Sequence, residues 1–208
     1  MVRLLMVMSL VLGGLGLQPM AKKAVVAPVV TAPADAPAYT AEGQLKFPDD
    51  YREWVFLTSG LDMSYAPNAA AAKHSVFNNV FVNPTAYKVF VKTGTWPEGS
   101  MFMLENRGAE GNHSINTRGQ TQAVEVTGTE LHVKDSAHGG WAFYIFKDKT
   151  SAKAIDKTAS CYSCHEQHAA VDTTFVQFYP TLLGVAKEKG VFSKEYLKEM
   201  ETPAAAAK

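Results

Sequence analysis

Two cysteines, and no others, occur in the 208-residue chain, and both lie in its C-terminal quarter as Cys161 and Cys164. His165 follows the second cysteine directly, so the segment has the pattern C-x-x-C-H. This spacing lets both thiols form thioethers with the two vinyl groups of one haem, while the adjacent histidine is presented to the iron. The pattern predicts one covalently bound haem c per chain, with His165 as an iron ligand.

Other uses of a cysteine pair agree less well with the rest of the sequence. A thioredoxin-like redox pair needs an early position in a βαβ unit, and no such unit is evident around Cys161. A structural zinc site needs further ligands, and neither a second C-x-x-C nor an H-x-x-x-H pattern occurs. A redox or structural pair with an incidental histidine remains the alternative to haem.

The N-terminal residues have the features of a secretory signal. Arg3 precedes an apolar run at residues 4–12, which continues through glycines to Leu17. This run is shorter than the roughly 20 residues that span a bilayer. The sequence predicts a signal peptide at residues 1–21 and export to the periplasm, with an uncleaved anchor as the alternative.

Composition predicts one folded domain with unstructured flanks. Residues 22–44 are rich in alanine, valine and proline and predict a disordered linker, and residues 201–208 predict a flexible tail. Residues 45–200 are long enough for a single haem-binding domain with its own core. The 20 lysines and arginines balance the 20 aspartates and glutamates, so the chain lacks the basic excess of nucleic-acid-binding proteins.

Residue patterns predict a mainly antiparallel β domain with flanking α-helices, which is an α+β fold. Strands are predicted where β-branched and aromatic residues concentrate or alternate with polar ones, at residues 75–83, 100–106, 122–126, 130–134 and 141–146. Helices are predicted at residues 48–60 and 85–92, from residue 159 through the haem motif, and at residues 193–200. A long polar loop is expected at residues 107–119.

Three further motifs lie outside the haem segment. Residues 92–100 read KTGTWPEGS, and residues 79–82 in the strand before them read NVFV. Residues 172–182 follow the pattern D-x-x-F-x-Q-F-Y-P-x-L. Together with the C-x-x-C-H segment, these motifs resemble the cytochrome P-460 family, which includes cytochrome c′-beta. The resemblance covers residues 47–183.

The resemblance implies a homodimeric, largely antiparallel β protein whose iron has His165 on one face and an open position on the other. Such a position binds a small gaseous or nitrogenous ligand. Cytochrome P-460 has a lysine cross-linked to its porphyrin and oxidises hydroxylamine or handles nitric oxide. Cytochrome c′-beta lacks the cross-link and binds nitric oxide.

One departure from the family pattern favours one of these activities. Where cross-linking members have a lysine before a glutamate, this chain has Leu104 before Glu105. Lys88 and Lys92 remain candidates for an approach to the haem. The resemblance therefore favours nitric oxide binding. The alternatives are oxidation of hydroxylamine or nitric oxide, with electrons passed to another cytochrome, and simple electron transfer.

The resemblance also implies roles for residues of the haem pocket. Phe102 corresponds to a phenylalanine that caps the iron in cytochrome c′-beta, with Phe77 or Phe81 as its partner. An apolar cap admits a small neutral gas and keeps water from the iron. Glu130 corresponds to the family's catalytic carboxylate, which can take a proton from hydroxylamine if it reaches the cavity. A solvated strand carboxylate is the alternative for Glu130.

The remaining histidines are expected to be solvated or locally hydrogen-bonded rather than bound to iron; they are His74, His113, His132, His138 and His168. His168 lies too close in sequence to His165 to reach the opposite face of the haem. The sequence therefore offers no evident second ligand for a six-coordinate iron.

Overall fold

The structure is a computed structural model that describes residues 33–65, 74–112 and 114–201. The predicted signal peptide and the tail beyond Glu201 lie outside the described residues. The strands and helices are β1 (Leu45–Lys46), β2 (Val55–Leu61), β3 (Val76–Val82), α1 (Pro84–Thr93), β4 (Met101–Gly111), β5 (Gln120–Asp135), β6 (Gly140–Phe146), β7 (Ser151–Ala152), α2 (Ser160–His168), α3 (Pro180–Lys189) and α4 (Lys194–Glu201). None of the helices in these ranges is long and apolar enough to cross a membrane.

Five strands form the main sheet, in the order β2-β3-β4-β5-β6. Each strand therefore pairs with its neighbours in the sequence, and every pairing is antiparallel. β1 and β7 form a second, two-stranded antiparallel sheet. The predicted α+β fold with mainly antiparallel strands is confirmed.

The main sheet buries apolar side chains on both faces. Successive side chains of a strand point to opposite faces, so Met101 and Met103 enter one core while Phe102 enters the other. The first core also contains Leu45 of the small sheet. The second core contains residues of α1 and α3, among them Phe90. The segment that carries the cysteines lies on the side of the second core.

α1 begins at a cap supplied by the segment predicted as linker. Asp35 accepts a hydrogen bond from the backbone N–H of Thr85 through Oδ2, at 2.7 Å. The side chain of Asn83 donates to the backbone carbonyl of Asp35 at 3.0 Å and accepts from the N–H of Met101 at 2.9 Å. The domain boundary at residue 45 stays a prediction, and these contacts join earlier residues to the domain.

The helix predicted at residues 48–60 is wrong. The chain forms one 3₁₀ turn at Tyr51–Glu53 and then enters β2, which pairs with β3. Tyr51 and Trp54 are buried in the first core, and the 3₁₀ turn accommodates their spacing because its residues three apart lie above one another. Strand pairing with β3 then outweighs the local pattern of residues 55–60.

Two other differences concern the lengths of elements. The predicted loop at residues 107–119 is shorter, because β4 continues to Gly111 and β5 begins at Gln120. The two short strands predicted at residues 122–126 and 130–134 form the single strand β5.

α3 was not predicted from the sequence, although Pro180 at its first turn and Gly190 at its end are ordinary helix signals.

Glu105 is a buried charge in the first core, with only 1 % of its surface exposed. Its carboxylate accepts hydrogen bonds from Tyr51 Oη and Arg107 Nε, each at 2.7 Å, and forms an ion pair with Arg52. Burial raises the pKa of Glu105, but the hydrogen bonds from Arg107, Tyr51 and Arg52 outweigh burial and bring the pKa to about 2. The ionised group ties β4 to the 3₁₀ turn.

Replacement of Glu105 by glutamine should lower the free energy of unfolding by about 2 kcal/mol at pH 7, because two arginines lose their buried partner. The pKa of Glu105 lies below its ordinary value of 4.5, so its contribution is present above pH 4.5 and is lost as the pH falls towards 2. Denaturant unfolding at pH 7 and pH 3 measures both effects. Glu110→Gln, an exposed change on the same strand, is the control; a Glu105→Gln deficit that is independent of pH would contradict the prediction.

Candidate haem site

A cavity of 240 Å³ lies between the second face of the main sheet and the C-terminal segments. The sheet contributes side chains from β2 to β6, which are Thr58, Gly60, Asn78, Val80, Phe102, Leu104, Glu130, Leu131, His132 and Phe143. The segments after the cysteines contribute His165, Thr174, Phe175, Phe178 and Tyr179. Met63 and Tyr65, which follow β2, complete the lining. The wall is mainly apolar and aromatic.

The C-x-x-C-H motif occupies α2, beside this cavity. Cys161 and Cys164 are both free thiols and partly exposed, and residues three apart lie on the same side of a helix. Tyr162 attaches α2 to β6, because its hydroxyl accepts a hydrogen bond from the N–H of Phe143 at 3.2 Å. His165 lines the cavity, and the two thiols lie on the same short helix as this histidine.

The imidazole of His165 has a defined orientation. Its Nδ1 lies 2.7 Å from the carbonyl oxygen of Thr173. Because a carbonyl can only accept, Nδ1 carries the proton, and Nε2 is left with a lone pair suited to a metal ion. Burial lowers the pKa of His165, which the Thr173 hydrogen bond partly opposes. The ring is enclosed by Phe143 and Phe175, with centroids at 4.6 and 4.3 Å.

His132 was expected to be solvated or locally hydrogen-bonded, and it is neither. The side chain is 7 % exposed, lines the cavity and stacks on Phe143 at 4.0 Å. Its ring lies 5.0 Å from that of His165, and burial lowers the pKa of His132 well below its ordinary value. Among the described residues, Nε2 of His132 has no hydrogen-bond partner.

The structure brings some of the predicted pocket residues to the cavity and not others. Phe102 lines it and is 4 % exposed. Phe77 and Phe81 do not, because the alternation of β3 turns Asn78 and Val80 towards the cavity instead. Phe81 packs on the first core. The partner that the resemblance gives to Phe102 is therefore not supplied by β3.

Glu130 lies in the cavity wall directly opposite Leu104, its partner in the pairing of β4 with β5. It forms no hydrogen bond or ion pair with any other described residue. Burial raises the pKa of Glu130 above its ordinary value. Lys88 and Lys92 do not line the cavity, and neither does any other lysine in the described part of the chain. The wall thus contains a carboxylate without a neighbouring cation.

Several lining residues were not identified from the sequence. His132 shares a strand face with Glu130 two residues earlier, so the period of two was a signal that could have found it. Met63 and Tyr65 carried no such signal, because they follow the end of β2. Tyr65 stacks on Phe175 at 5.8 Å, and the thioether of Met63 is a further iron-ligand type in the wall.

These residues fit a haem. Cys161 and Cys164 can hold its vinyl edge, and His165 can bind its iron through Nε2. The apolar wall suits the porphyrin, and the unpartnered nitrogen of His132 is the kind of group that a polar cofactor satisfies.

Glu130→Gln should raise the midpoint temperature of unfolding at pH 7, because the natural protein keeps a carboxylate in a poorly hydrated wall. The pKa of Glu130 is raised on folding, so the cost of the ionised form is absent below its ordinary pKa of 4.5 and grows as the pH rises through the folded value. The gain should therefore disappear at pH 4. Calorimetry at both pH values tests this, with Glu125→Gln, an exposed change on β5, as the control. A gain of the same size at pH 4 would contradict the prediction.

Comparison with known proteins agrees with this site. The sequence model of the family described as Cytochrome P460 matches residues 48–176, more than half of the chain. This range contains the main sheet, the C-x-x-C-H motif and the turn that accepts the His165 hydrogen bond. No curated protein matches the chain. The family implies a haem cofactor, and the chain belongs to the Cytochrome P460 family of haem cytochromes.

Proposed function

We propose that this chain is an exported cytochrome with one haem c, whose iron keeps an open position for nitric oxide or a related small nitrogen species. The observation that carries this proposal is the make-up of the cavity wall. His165 supplies one imidazole nitrogen, while Phe102 and Leu104, and no described lysine, line the cavity from β4. The bound haem supplies an iron centre at which such a ligand binds.

Covalent attachment is supported by α2. The thiols of Cys161 and Cys164 are free, partly exposed and on one side of the helix. Two thioethers at this position keep the cofactor beside His165 whatever the strength of the iron bond. His165 needs no rearrangement to act as a ligand, because the Thr173 carbonyl already holds its Nδ1 proton.

Phe102 and Leu104 give the part of the wall that β4 supplies its selectivity. Both side chains are hydrocarbon, so they provide neither a ligand for the iron nor hydrogen bonds that would keep water in place. A small neutral gas needs no such hydrogen bonds and loses little hydration when it enters. These two side chains therefore favour nitric oxide over water and over charged ligands.

Oxidation of hydroxylamine is the second candidate, and Glu130 is the observation that favours it. The carboxylate lines the cavity, and burial raises the pKa of Glu130 towards the range in which a general base works. It could accept a proton from hydroxylamine while electrons leave for another cytochrome. Leu104, opposite Glu130, stands against the cross-linked form of the haem.

Export and assembly belong to the same proposal. The apolar run at residues 4–12 supports a signal peptide, and N-terminal sequencing of the secreted protein should show cleavage near residue 21. The family resemblance supports a homodimer, which sedimentation at micromolar concentration would detect. A monomer in that measurement would contradict the proposed dimer, but it would not bear on the proposed haem site.

Covalent attachment predicts that the denatured protein keeps its haem through extraction with acid and organic solvent. Cys161→Ala combined with Cys164→Ala should release the haem under those conditions, because both thioethers are absent. His165→Ala should keep the haem attached and change only the iron spectrum. Absorbance of the protein and solvent phases measures the outcome. Release of haem from the natural protein would overturn the c-type assignment.

The open position predicts a five-coordinate ferrous haem that binds nitric oxide readily and oxidises hydroxylamine slowly or not at all. Phe102→Ala should alter the rate of nitric oxide binding, since it removes the largest apolar group of β4 in the wall. Binding is followed by stopped-flow absorbance, and oxidation by reduction of an artificial electron acceptor.

Two results would redirect this proposal. Rapid hydroxylamine oxidation that is lost in Glu130→Gln would make the protein an oxidoreductase. A six-coordinate ferrous spectrum without added ligand would reject the open position. Its conversion to a five-coordinate spectrum in Met63→Leu would assign the thioether as the sixth ligand and support electron transfer.

A further inference from the structure

The four-residue turn at residues 171–174 has an unfavourable backbone conformation. Val171 and Thr174 exchange two backbone hydrogen bonds, at 3.2 and 2.8 Å, which close the turn. The two residues between them have positive φ angles, 44° at Asp172 and 61° at Thr173. Hairpin turns of this pattern usually contain Asn-Gly, because glycine has no Cβ to clash. A β-branched threonine with a positive φ is a conformational outlier.

The outlier lies where the proposed iron ligand needs its support. The carbonyl of Thr173 is the group that accepts the Nδ1 hydrogen bond of His165 at 2.7 Å. A turn that relaxed to negative φ would turn this carbonyl to a different direction. Strained backbone persists only where its surroundings hold it, and such positions concentrate at functional sites.

Three side chains hold this conformation: two lie on strands of the main sheet, and the third lies in the turn before β4. Oδ2 of Asp172 forms an ion pair with Nζ of Lys134 on β5 at 2.6 Å, and Oδ1 accepts from Nε1 of Trp141 on β6 at 3.0 Å. Nε1 of Trp96 donates to Oγ1 of Thr174 at 2.8 Å. The carboxylate of Asp172 is thus engaged at both oxygens, and both partners belong to strands of the main sheet.

We propose that Asp172 is a positioning residue for the proximal ligand of the haem. Its contacts with Lys134 and Trp141 hold the turn in place. In this position the carbonyl of Thr173 accepts the hydrogen bond from Nδ1 of His165. This inference rests on the proposed function, because it takes His165 as the iron ligand.

The consequence concerns how strongly His165 donates electrons. A hydrogen bond from Nδ1–H to a carbonyl makes the imidazole more basic at Nε2. A more basic ligand stabilises ferric over ferrous iron and strengthens the iron–nitrogen bond. Loss of the support at Asp172 should therefore raise the reduction potential of the haem and lower the iron–imidazole stretching frequency of the ferrous protein.

The first experiment compares Asp172→Ala and Asp172→Asn with the natural protein by resonance Raman spectroscopy and redox titration. Both variants should show the lower stretching frequency and the higher potential. The change should be smaller in Asp172→Asn, which retains an oxygen for Trp141 and loses the charge and the acceptor oxygen that face Lys134. If Asp172→Ala does not fold, the stretching frequency and potential of Asp172→Asn are compared with those of the natural protein instead.

Asp156→Ala is the matched control. Asp156 is an exposed aspartate in the turn before α2, and its carboxylate accepts from the N–H and hydroxyl of Thr158, at 2.8 and 2.7 Å. The substitution removes the same charge near the same helix, and the carboxylate that it removes bonds to Thr158 rather than to the 171–174 turn. Its stretching frequency and potential should equal those of the natural protein.

Thr173→Gly provides the rescue. Glycine adopts positive φ without strain, so the turn should keep its conformation when Asp172 is absent. The double variant Asp172→Ala with Thr173→Gly should therefore return towards the natural frequency and potential. A merely structural role of Asp172 predicts lower stability without this return.

Two outcomes overturn the inference and leave the proposed function standing. One is a natural frequency and potential in both Asp172 variants. The other is a shift from Asp172→Ala that Thr173→Gly does not reduce. A natural protein that shows no ferrous iron–imidazole vibration overturns the proposed function instead, and this inference with it.

Discussion

The pleat of β4 is the constraint on which the rest of the structure depends. Its side chains alternate, so Met103 and Glu105 enter the first core while Phe102 and Leu104 face the cavity. The ionised Glu105, held by Arg52 and Arg107, cannot move to the apolar wall without losing its partners. The buried charge therefore fixes the register that places Phe102 and Leu104 at the cofactor site.

A second constraint joins parts of the chain that are far apart in sequence. Trp96 lies in the glycine-rich turn before β4, and Asp172 and Thr174 follow α2, the helix that contains the C-x-x-C-H motif. Trp96 donates to Thr174, while Lys134 on β5 contacts both the carbonyl of Trp96 and the carboxylate of Asp172. The segments that resemble the family before and after the haem motif thus meet in space. Between Asp172 and Thr174 lies Thr173, whose carbonyl accepts the hydrogen bond from Nδ1 of His165.

The sequence predicted β3 to β6, three of the helices and the residues of the C-x-x-C-H motif, because these signals are local. Residues 48–60 were misassigned because pairing with β3 is a long-range interaction that a helical spacing does not show. The resemblance placed Phe77 and Phe81 in the pocket. Because side chains alternate along β3, Phe81 packs on the first core instead. His132 was missed because its burial results from the stacking of β6 and α2 against it. Its alternation with Glu130 along β5 marks which face it shares, but the enclosure of that face by β6 and α2 is a tertiary contact that the alternation does not show.

The pairing of Leu104 with Glu130 links the two candidate activities to one position. An unlinked, protonated lysine opposite Glu130 would provide a cation that stabilises the carboxylate and lowers its pKa. With leucine there, desolvation has no opposing charge, and the pKa of Glu130 is raised. The substitution that argues against a cross-linked porphyrin therefore also makes Glu130 a stronger proton acceptor. The two proposed activities are consequently not independent, since Leu104 faces both the cavity and the only carboxylate that the described residues place in its wall.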